Sequence, residues 1–120
     1  MYEIEIYKDK NGKSEVYDYI KELQQKNDKD SNIKVGKIFA YIRKLSIDGL
    51  AIGEPFIKRL QKDIWELRPL RDRILFVYWG NNKFVLLSFF VKKTRKTPKR
   101  EIEKAKRLLE DYKKRSEKNE

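Results

Sequence analysis

Residues 72–91 have the sequence DRILFVYWGNNKFVLLSFFV. Two runs rich in aromatic and β-branched residues, Asp72–Trp79 and Phe84–Val91, flank the segment Gly80-Asn81-Asn82-Lys83, which has the composition of a hairpin turn. The stretch therefore predicts two antiparallel strands. The second run is nearly continuously apolar, which favours a central position in the sheet with both faces covered.

The segments on either side of this hairpin predict further strands and helices. Alternating polar and apolar residues predict strands at residues 2–8, 56–60 and 64–68. Apolar residues three or four apart predict helices at residues 13–26 and 33–47, and Thr97-Pro98 predicts the start of a last helix with Thr97 as its cap. The order is β-α-α-β-β-β-β-α, or one strand fewer if residues 56–68 form a single element. This order predicts an α+β fold, in which a small antiparallel or mixed sheet packs against two N-terminal helices and a C-terminal helix.

Each of the three predicted helices carries an apolar stripe that we expect to be buried, and the stripe of the first consists of Val16, Tyr19, Ile20 and Leu23. The stripe of the second helix consists of Val35, Ile38, Phe39, Ile42 and Leu45. The stripe of the last helix consists of Ile102, Ala105, Leu108, Leu109 and Tyr112. After Lys113 every residue is charged or polar, which predicts a frayed tail. A length of 120 residues is typical of one domain, so we expect residues 1–120 to form one domain.

The composition narrows the chemistry that the chain can perform. It contains no Cys and no His, which excludes disulfides, thiolate catalysis, and the commonest general base and metal ligand. The carboxylates are scattered and no glycine-rich phosphate loop is present, so we expect no metal and no cofactor. No apolar run approaches the roughly 18 residues that span a bilayer, and the N-terminus resembles a strand rather than a signal peptide. These features predict a cytoplasmic protein that does not enter a membrane.

The net charge of +11 lies almost entirely in the second half of the chain. Residues 1–57 contain ten basic and ten acidic side chains, whereas residues 58–120 contain twenty basic and nine acidic ones. Such asymmetry is typical of a surface that binds nucleic acid or another polyanion. A solvated basic face with a charged tail is the alternative interpretation.

The predicted hairpin brings some of these cations together. In an antiparallel hairpin the start of one strand lies beside the end of the next, so Arg71 and Arg73 should approach Lys92 and Lys93. Cations held together repel one another unless an anion joins them, and the phosphates of RNA would supply that anion.

Acidic and aromatic residues near the cluster allow other interpretations. Asp63, Glu66 and Asp72 could neutralise the cations as ordinary surface pairs. Trp65 and Trp79 could stack on bases, but their positions in strand patterns favour a place in the core.

Three segments carry a resemblance to a known family. They are WELR at residues 65–68, RDRILFVY at residues 71–78, and LSFFVKKTRKTP at residues 87–98, with Glu101, Ile102 and Ala105 following. Together they resemble the HigB branch of the RelE/ParE toxin superfamily, which includes phage-derived Gp49-like proteins. The resemblance implies a RelE-like fold and the toxin of a type II toxin–antitoxin pair. Most such toxins are metal-independent endoribonucleases that cut mRNA, commonly on the ribosome.

The resemblance also implies roles for individual residues. The arginine that this family carries on its central strand falls on Arg73, the basic residue at the end of its last strand falls on Lys93, and with Arg68 these form the implied catalytic set. The implied RNA-binding residues are Lys58, Arg71, Lys92, Arg95 and Lys96.

The resemblance leaves the proton-transfer group and the exact activity open. Several relatives carry a Tyr or His near the site, but this chain has no His, and Tyr112 could equally belong to the core. The implied partners are mRNA, the ribosome and a cognate helix-turn-helix antitoxin. A ParE-like inhibitor of DNA gyrase and a non-catalytic RNA-binding module are the alternatives.

Overall fold

A computed structural model of the chain describes residues 1–118. The strands of the described part are β1 (Glu3–Ile6), β2 (Ile57–Arg59), β3 (Trp65–Leu67), β4 (Asp72–Gly80) and β5 (Lys83–Val91). The helices are α1 (Glu15–Lys26), α2 (Lys29–Asp48) and α3 (Lys99–Lys118), and a 3₁₀ turn at Gly49–Ile52 follows α2. The predicted element order and the α+β class are confirmed.

The five strands form one mixed sheet with the order β1-β5-β4-β3-β2. The pairing of β1 with β5 is parallel, and the other three pairings are antiparallel. The predicted hairpin is β4–β5, and β5 lies between β1 and β4 as its apolar sequence indicated. The hairpin is therefore the centre of the sheet.

Helices cover both faces of this sheet. Ile74 and Phe76 of β4 belong to an apolar cluster that includes buried residues of α1 and α2. Leu75 and Val77, which alternate with them, belong to a second cluster built with residues of α3. Since alternate side chains of a strand point to opposite faces, α1 and α2 lie on one face and α3 lies on the other.

Helix α2 begins four residues earlier than the apolar pattern indicated. The Asp28 carboxylate accepts the Ser31 amide at 2.7 Å, so Asp28 caps the helix and Lys29 is its first residue. This backbone hydrogen bond is the main reason why the pKa of the Asp28 carboxyl lies below its usual range. Asn27, in the left-handed conformation, ends α1 immediately before this cap.

Two predictions about apolar and polar helix residues are wrong. Phe39 was expected in the buried stripe of α2, but its side chain is 47% exposed, because Ile38 and Leu45 define the inner face of that helix. The tail was expected to fray after Lys113, but α3 continues to Lys118. Arg115 supports this last part of α3, because its guanidinium lies 3.0 Å from Asp111 and also donates to the Lys8 carbonyl.

Replacing Tyr7 with phenylalanine should lower the free energy of unfolding by about 1 kcal/mol at pH 7. The buried Tyr7 hydroxyl donates to Asp111 at 2.5 Å. Burial and this hydrogen bond raise the pKa of Tyr7 to about 12, and the same bond holds the pKa of Asp111 below its usual range. The expected loss in the free energy of unfolding is small because Asp111 is partly exposed to solvent.

The stability difference between wild type and Tyr7→Phe depends on pH because the pKa values of Tyr7 and Asp111 are shifted in the folded protein. The Asp111 contribution is present above its ordinary pKa of 3.8 and is lost as the pH falls through the lowered value. The Tyr7 contribution is present below its ordinary pKa of 10.0 and is lost as the pH rises through about 12. Urea unfolding should therefore show the largest difference between wild type and Tyr7→Phe from about pH 5 to pH 9. A constant difference from pH 3 to pH 11 would contradict this explanation.

Candidate nucleic-acid interface

The open end of the β4–β5 hairpin brings two predicted cations together. The Lys92 amide donates to the Arg71 carbonyl at 2.8 Å, and the Arg71 guanidinium donates to the Lys92 carbonyl at 2.8 Å. These bonds extend the strand pairing by one step beyond Asp72 and Val91. Arg71 is exposed and Lys92 is half-buried, so both contribute positive charge to the surface at this end of the sheet.

Arg73 is buried and fixed by the backbone around it. The residue is only 6% exposed, and its guanidinium donates to the carbonyls of Leu70 at 2.8 Å and Asp72 at 2.9 Å. Burial, and secondarily the nearby cation of Arg68, lower the pKa of Arg73 from its ordinary value. Arg73 is therefore a fixed, poorly solvated cation beneath the surface.

Glu66 on β3 is the counter-ion of this arginine pair. The carboxylate is 1% exposed, and its Oε1 lies 3.4 Å from Nε of Arg68 and 3.8 Å from Nε of Arg73. Its Oε2 accepts the hydroxyl of Thr97 at 2.6 Å. Lys58 is the register partner of Glu66 on β2. The exposed Glu54, whose Oε1 lies 4.0 Å from Nη1 of Arg68, is a second counter-ion, so the net positive charge at this part of the sheet comes from the exposed lysines and Arg71 around the pair.

The acidic residues near the cluster do not act as the surface pairs that the sequence allowed. Glu66 is buried beneath the cations rather than beside them. The buried carboxylate of Asp72 accepts the hydroxyl of Tyr19, a residue of α1 on the other face of the sheet. Asp63 is exposed. The positive charge of the exposed cations is therefore available to an external anion.

The segment that follows β5 carries the remaining predicted cations. Lys93, Arg95 and Lys96 are all exposed. Lys93 and Lys96 line an open groove of about 770 Å³ that runs from the end of β5 to the start of α3. Arg95 does not line this groove, although it lies in the same segment.

Two hydrogen bonds hold this segment in place. The Thr94 hydroxyl donates to the carbonyl of Lys96 at 2.8 Å, and the Thr97 hydroxyl donates to Glu66. The Thr97 side chain was predicted to cap α3, and it instead joins the segment to β3. The bond therefore sets the position of Lys93 and Lys96 relative to Arg68.

Glu101 is a groove residue that no sequence pattern indicated as functional beyond its place in the family resemblance. It lies in the first turn of α3, and its side chain is 15% exposed. Its carboxylate is within 3.7 Å of Arg100 and Lys104, and Oε1 has no hydrogen-bond donor in the described part of the chain. Because Oε1 is shielded from solvent, a proton or a ribose hydroxyl in the groove would have to reach this carboxylate through Oε2.

Tyr112 is a core residue and not part of this site. The side chain is buried, and its ring contacts Trp79 edge to face at 4.7 Å between centroids. Its hydroxyl donates to Glu5 at 3.0 Å, near Lys83 at the start of β5. The turn end of the hairpin holds Tyr112, whereas the cations gather at the open end.

Tyr19→Phe should lower the free energy of unfolding by about 1–3 kcal/mol, because Asp72 would lose its only described side-chain donor while remaining buried. The ring stacks on Phe89 at 4.1 Å and would be retained in the variant. Urea unfolding of the wild type and the variant measures the difference. Tyr17→Phe on the exposed side of α1 is the control and should change stability by less than about 0.5 kcal/mol.

Two further observations concern residues 1–118. No group of three or more acidic, His or Cys side chains in this range is close enough to hold a metal ion. No helix within it is both long and apolar enough to cross a membrane.

The mixed five-strand sheet, its three helices and its cationic open end define a RelE-like α+β protein. The sequence matches the family described as phage-derived protein Gp49-like (DUF891) over residues 18–110. The chain belongs to this family, whose members are RelE/toxin-like proteins. A comparison with curated proteins finds no significant match.

Proposed function

We propose that this protein is the toxin of a type II toxin–antitoxin system, of the HigB type, and that it cuts mRNA as a metal-independent endoribonuclease on the ribosome. The observation that carries the proposal is the arrangement at the open hairpin end. Arg68, directly after β3, and Arg73 on β4 surround one buried carboxylate, Glu66, and the segment that carries exposed Lys93 is joined to the same carboxylate through Thr97. A fixed cationic site of this kind binds a phosphodiester and stabilises charge that develops on it.

The proposed reaction is attack of an RNA 2′-oxygen on the adjacent phosphorus. A bond forms between the 2′-oxygen and phosphorus, and the bond from phosphorus to the 5′-oxygen of the next nucleotide breaks. The products are a 2′,3′-cyclic phosphate and a 5′-hydroxyl. One group takes the proton from the 2′-hydroxyl, and one group gives a proton to the leaving oxygen.

The burial of the two arginines suggests different parts for them in this reaction. The Arg68 side chain is 22% exposed and can contact a phosphoryl oxygen directly. The Arg73 side chain is 7% exposed, so its contribution comes mainly from its fixed positive charge close to the site. The exposed Lys58, Arg71, Arg95 and Lys96, together with the half-buried Lys92, would hold the flanking phosphates.

Lys93 is the first candidate for proton transfer. Arginine keeps its proton up to about pH 12 and is therefore a poor base at neutral pH, and the chain has no His. Lys92 is the second candidate, and Glu101 is a third because its carboxylate lines the same groove as Lys93.

The proposal is tested with purified protein, a defined mRNA, and reactions with and without ribosomes. We expect primer extension to show cleavage of the mRNA at discrete positions. If the protein also cleaves mRNA without ribosomes, that cleavage should continue in the presence of a metal chelator. Steeply salt-dependent RNA binding with intact RNA would instead indicate a binding module. DNA damage without mRNA decay after induction would indicate a gyrase inhibitor.

A toxin of this class needs a neutralising partner, and we propose a helix-turn-helix antitoxin encoded beside it. Expression of the chain alone should arrest growth, and coexpression with the neighbouring reading frame should restore it. Arrest that persists with every neighbouring frame would contradict a conventional pair.

A further inference from the structure

Helix α2 has a second apolar side that the fold leaves exposed. Ile33, Phe39 and Ile47 are each 47% exposed, and Gly36 and Ala40 between them are also exposed. At 100° per residue Ile33, Gly36, Ala40 and Ile47 lie on the side of α2 opposite the fully buried Ile38 and Leu45, and Phe39 lies at the edge of that side, about 100° from Ile38. We call the five residues the outer stripe. The sheet uses only the inner side of α2, so the outer stripe has no role in burying the core.

Gly36 leaves the backbone of this helix open to close approach. It lies within a 20-residue helix and is not among the glycines with a positive φ. A β-carbon added there would meet nothing within 4 Å. Glycine destabilises a helix interior relative to alanine, and the fold gives no reason for it at this position. Gly36 and Ala40, four residues apart, form a shallow depression that can admit a ridge of side chains from a second helix.

The charges beside the outer stripe define the chemistry of the partner. Arg43 is exposed on this side of α2 and Lys37 and Lys44 are exposed at its edge; no described ion pair involves them, and Lys44 lies over the Phe56 ring at 4.8 Å. The acidic residues of α2, Asp30 and Asp48, lie at its two ends. An apolar stripe with cations along its middle is complementary to an apolar helix with acidic flanks.

We propose that the outer stripe of α2 is a docking surface for an amphipathic, acidic-flanked helix of a partner protein. A second copy of this chain fits less well because it would bring the same three cations together. A membrane surface fits less well because small residues occupy the middle of the stripe, whereas interfacial helices present bulky apolar residues. The surface lies on the α1/α2 face of the sheet, so the proposal does not depend on the activity proposed above.

The probe is a fluorescent 18-residue helical peptide with leucines on one face and glutamates along both flanks, and a matched peptide carries lysines in place of the glutamates. Fluorescence anisotropy should show saturable micromolar binding of the glutamate peptide and at least tenfold weaker binding of the lysine peptide. Phe39→Ser and Lys37→Glu should each weaken binding about tenfold or more. Lys21→Glu on the exposed side of α1 makes the same charge change as Lys37→Glu and should have less than a twofold effect.

Gly36→Gln separates docking from folding. The substitution should leave the melting temperature unchanged or raise it by about 2–5 °C, because it replaces a helix-interior glycine with a good helix former. It should nevertheless weaken binding about tenfold or more by filling the depression.

Several results would overturn the proposal. Equal affinity for the two peptides, or unchanged peptide binding by the Gly36→Gln and Phe39→Ser variants, would show that the outer stripe does not bind the peptide. Dimerisation of the protein that Phe39→Ser abolishes would identify a second copy as the occupant. Binding of the protein to phosphatidylserine vesicles without binding of the glutamate peptide would identify a membrane surface as the occupant.

Discussion

Lys93→Ala is expected to lower the rate of mRNA cleavage by about 100-fold or more while leaving the melting temperature unchanged. A positioned proton-transfer group contributes roughly 10²–10⁴-fold to a rate. Lys93 is exposed, lines the groove, and makes no described ion pair, so its removal should not affect folding. Single-turnover cleavage on ribosomes and thermal unfolding measure the two quantities on the same preparations.

Lys93→Arg tests which property of the lysine matters. Arginine keeps the positive charge but holds its proton too tightly to act as a base. If Lys93 transfers a proton, Lys93→Arg should therefore bind RNA normally but should not recover the cleavage rate. Restored cleavage would limit the role of Lys93 to charge. Lys106→Ala on α3 removes one exposed cation elsewhere and should retain nearly full activity. Full activity of Lys93→Ala would remove Lys93 from the proposed mechanism.

Glu66→Ala is expected to lower the free energy of unfolding by about 3–5 kcal/mol, which is the usual cost of removing one partner from a buried ion pair. Without the carboxylate, the buried guanidinium of Arg73 has no counter-ion within salt-bridge distance among the described side chains. The hydroxyl of Thr97 also loses its acceptor. Urea unfolding at pH 7 measures the loss.

Asp63→Ala is the matched control for this prediction. Asp63 is an exposed acid three residues earlier in the chain, and its removal should change stability by less than about 0.5 kcal/mol. A Glu66→Ala loss as small as that of Asp63→Ala would mean that backbone carbonyls alone satisfy Arg73. Arg73→Ala should be less costly than Glu66→Ala, because Glu66 would keep Arg68 and Thr97 as partners.

The hairpin and the meeting of Arg71 with Lys92 were predictable from the sequence because antiparallel geometry fixes them once the turn is located. The burial of Arg73 was not predictable. Its strand is covered on both faces, so alternation does not distinguish an inner position from an outer one. The contact between Glu66 and Thr97 joins residues 31 positions apart, and no local pattern in the sequence signals such a contact.

The errors in the helices have equally local causes. Phe39 was assigned to the buried stripe because it is apolar and lies four residues after Val35 and three before Ile42, but it is about 100° around the helix from the fully buried Ile38. The early start of α2 depends on the Asp28 side chain, which belongs to a polar run with several possible caps. The end of α3 depends on a contact of Arg115 with the backbone of a distant residue, Lys8.

The position of Glu66 predicts what a genetic selection on this protein would recover. If expression of the chain arrests growth, survivors with substitutions at Lys93 or Lys96 should contain normal amounts of soluble protein. Survivors with substitutions at Glu66 or Arg73 should contain little, since misfolded chains are degraded. Immunoblots of survivors would then separate the residues of this cationic surface whose substitution leads to degradation of the protein from those whose substitution leaves the amount of protein unchanged.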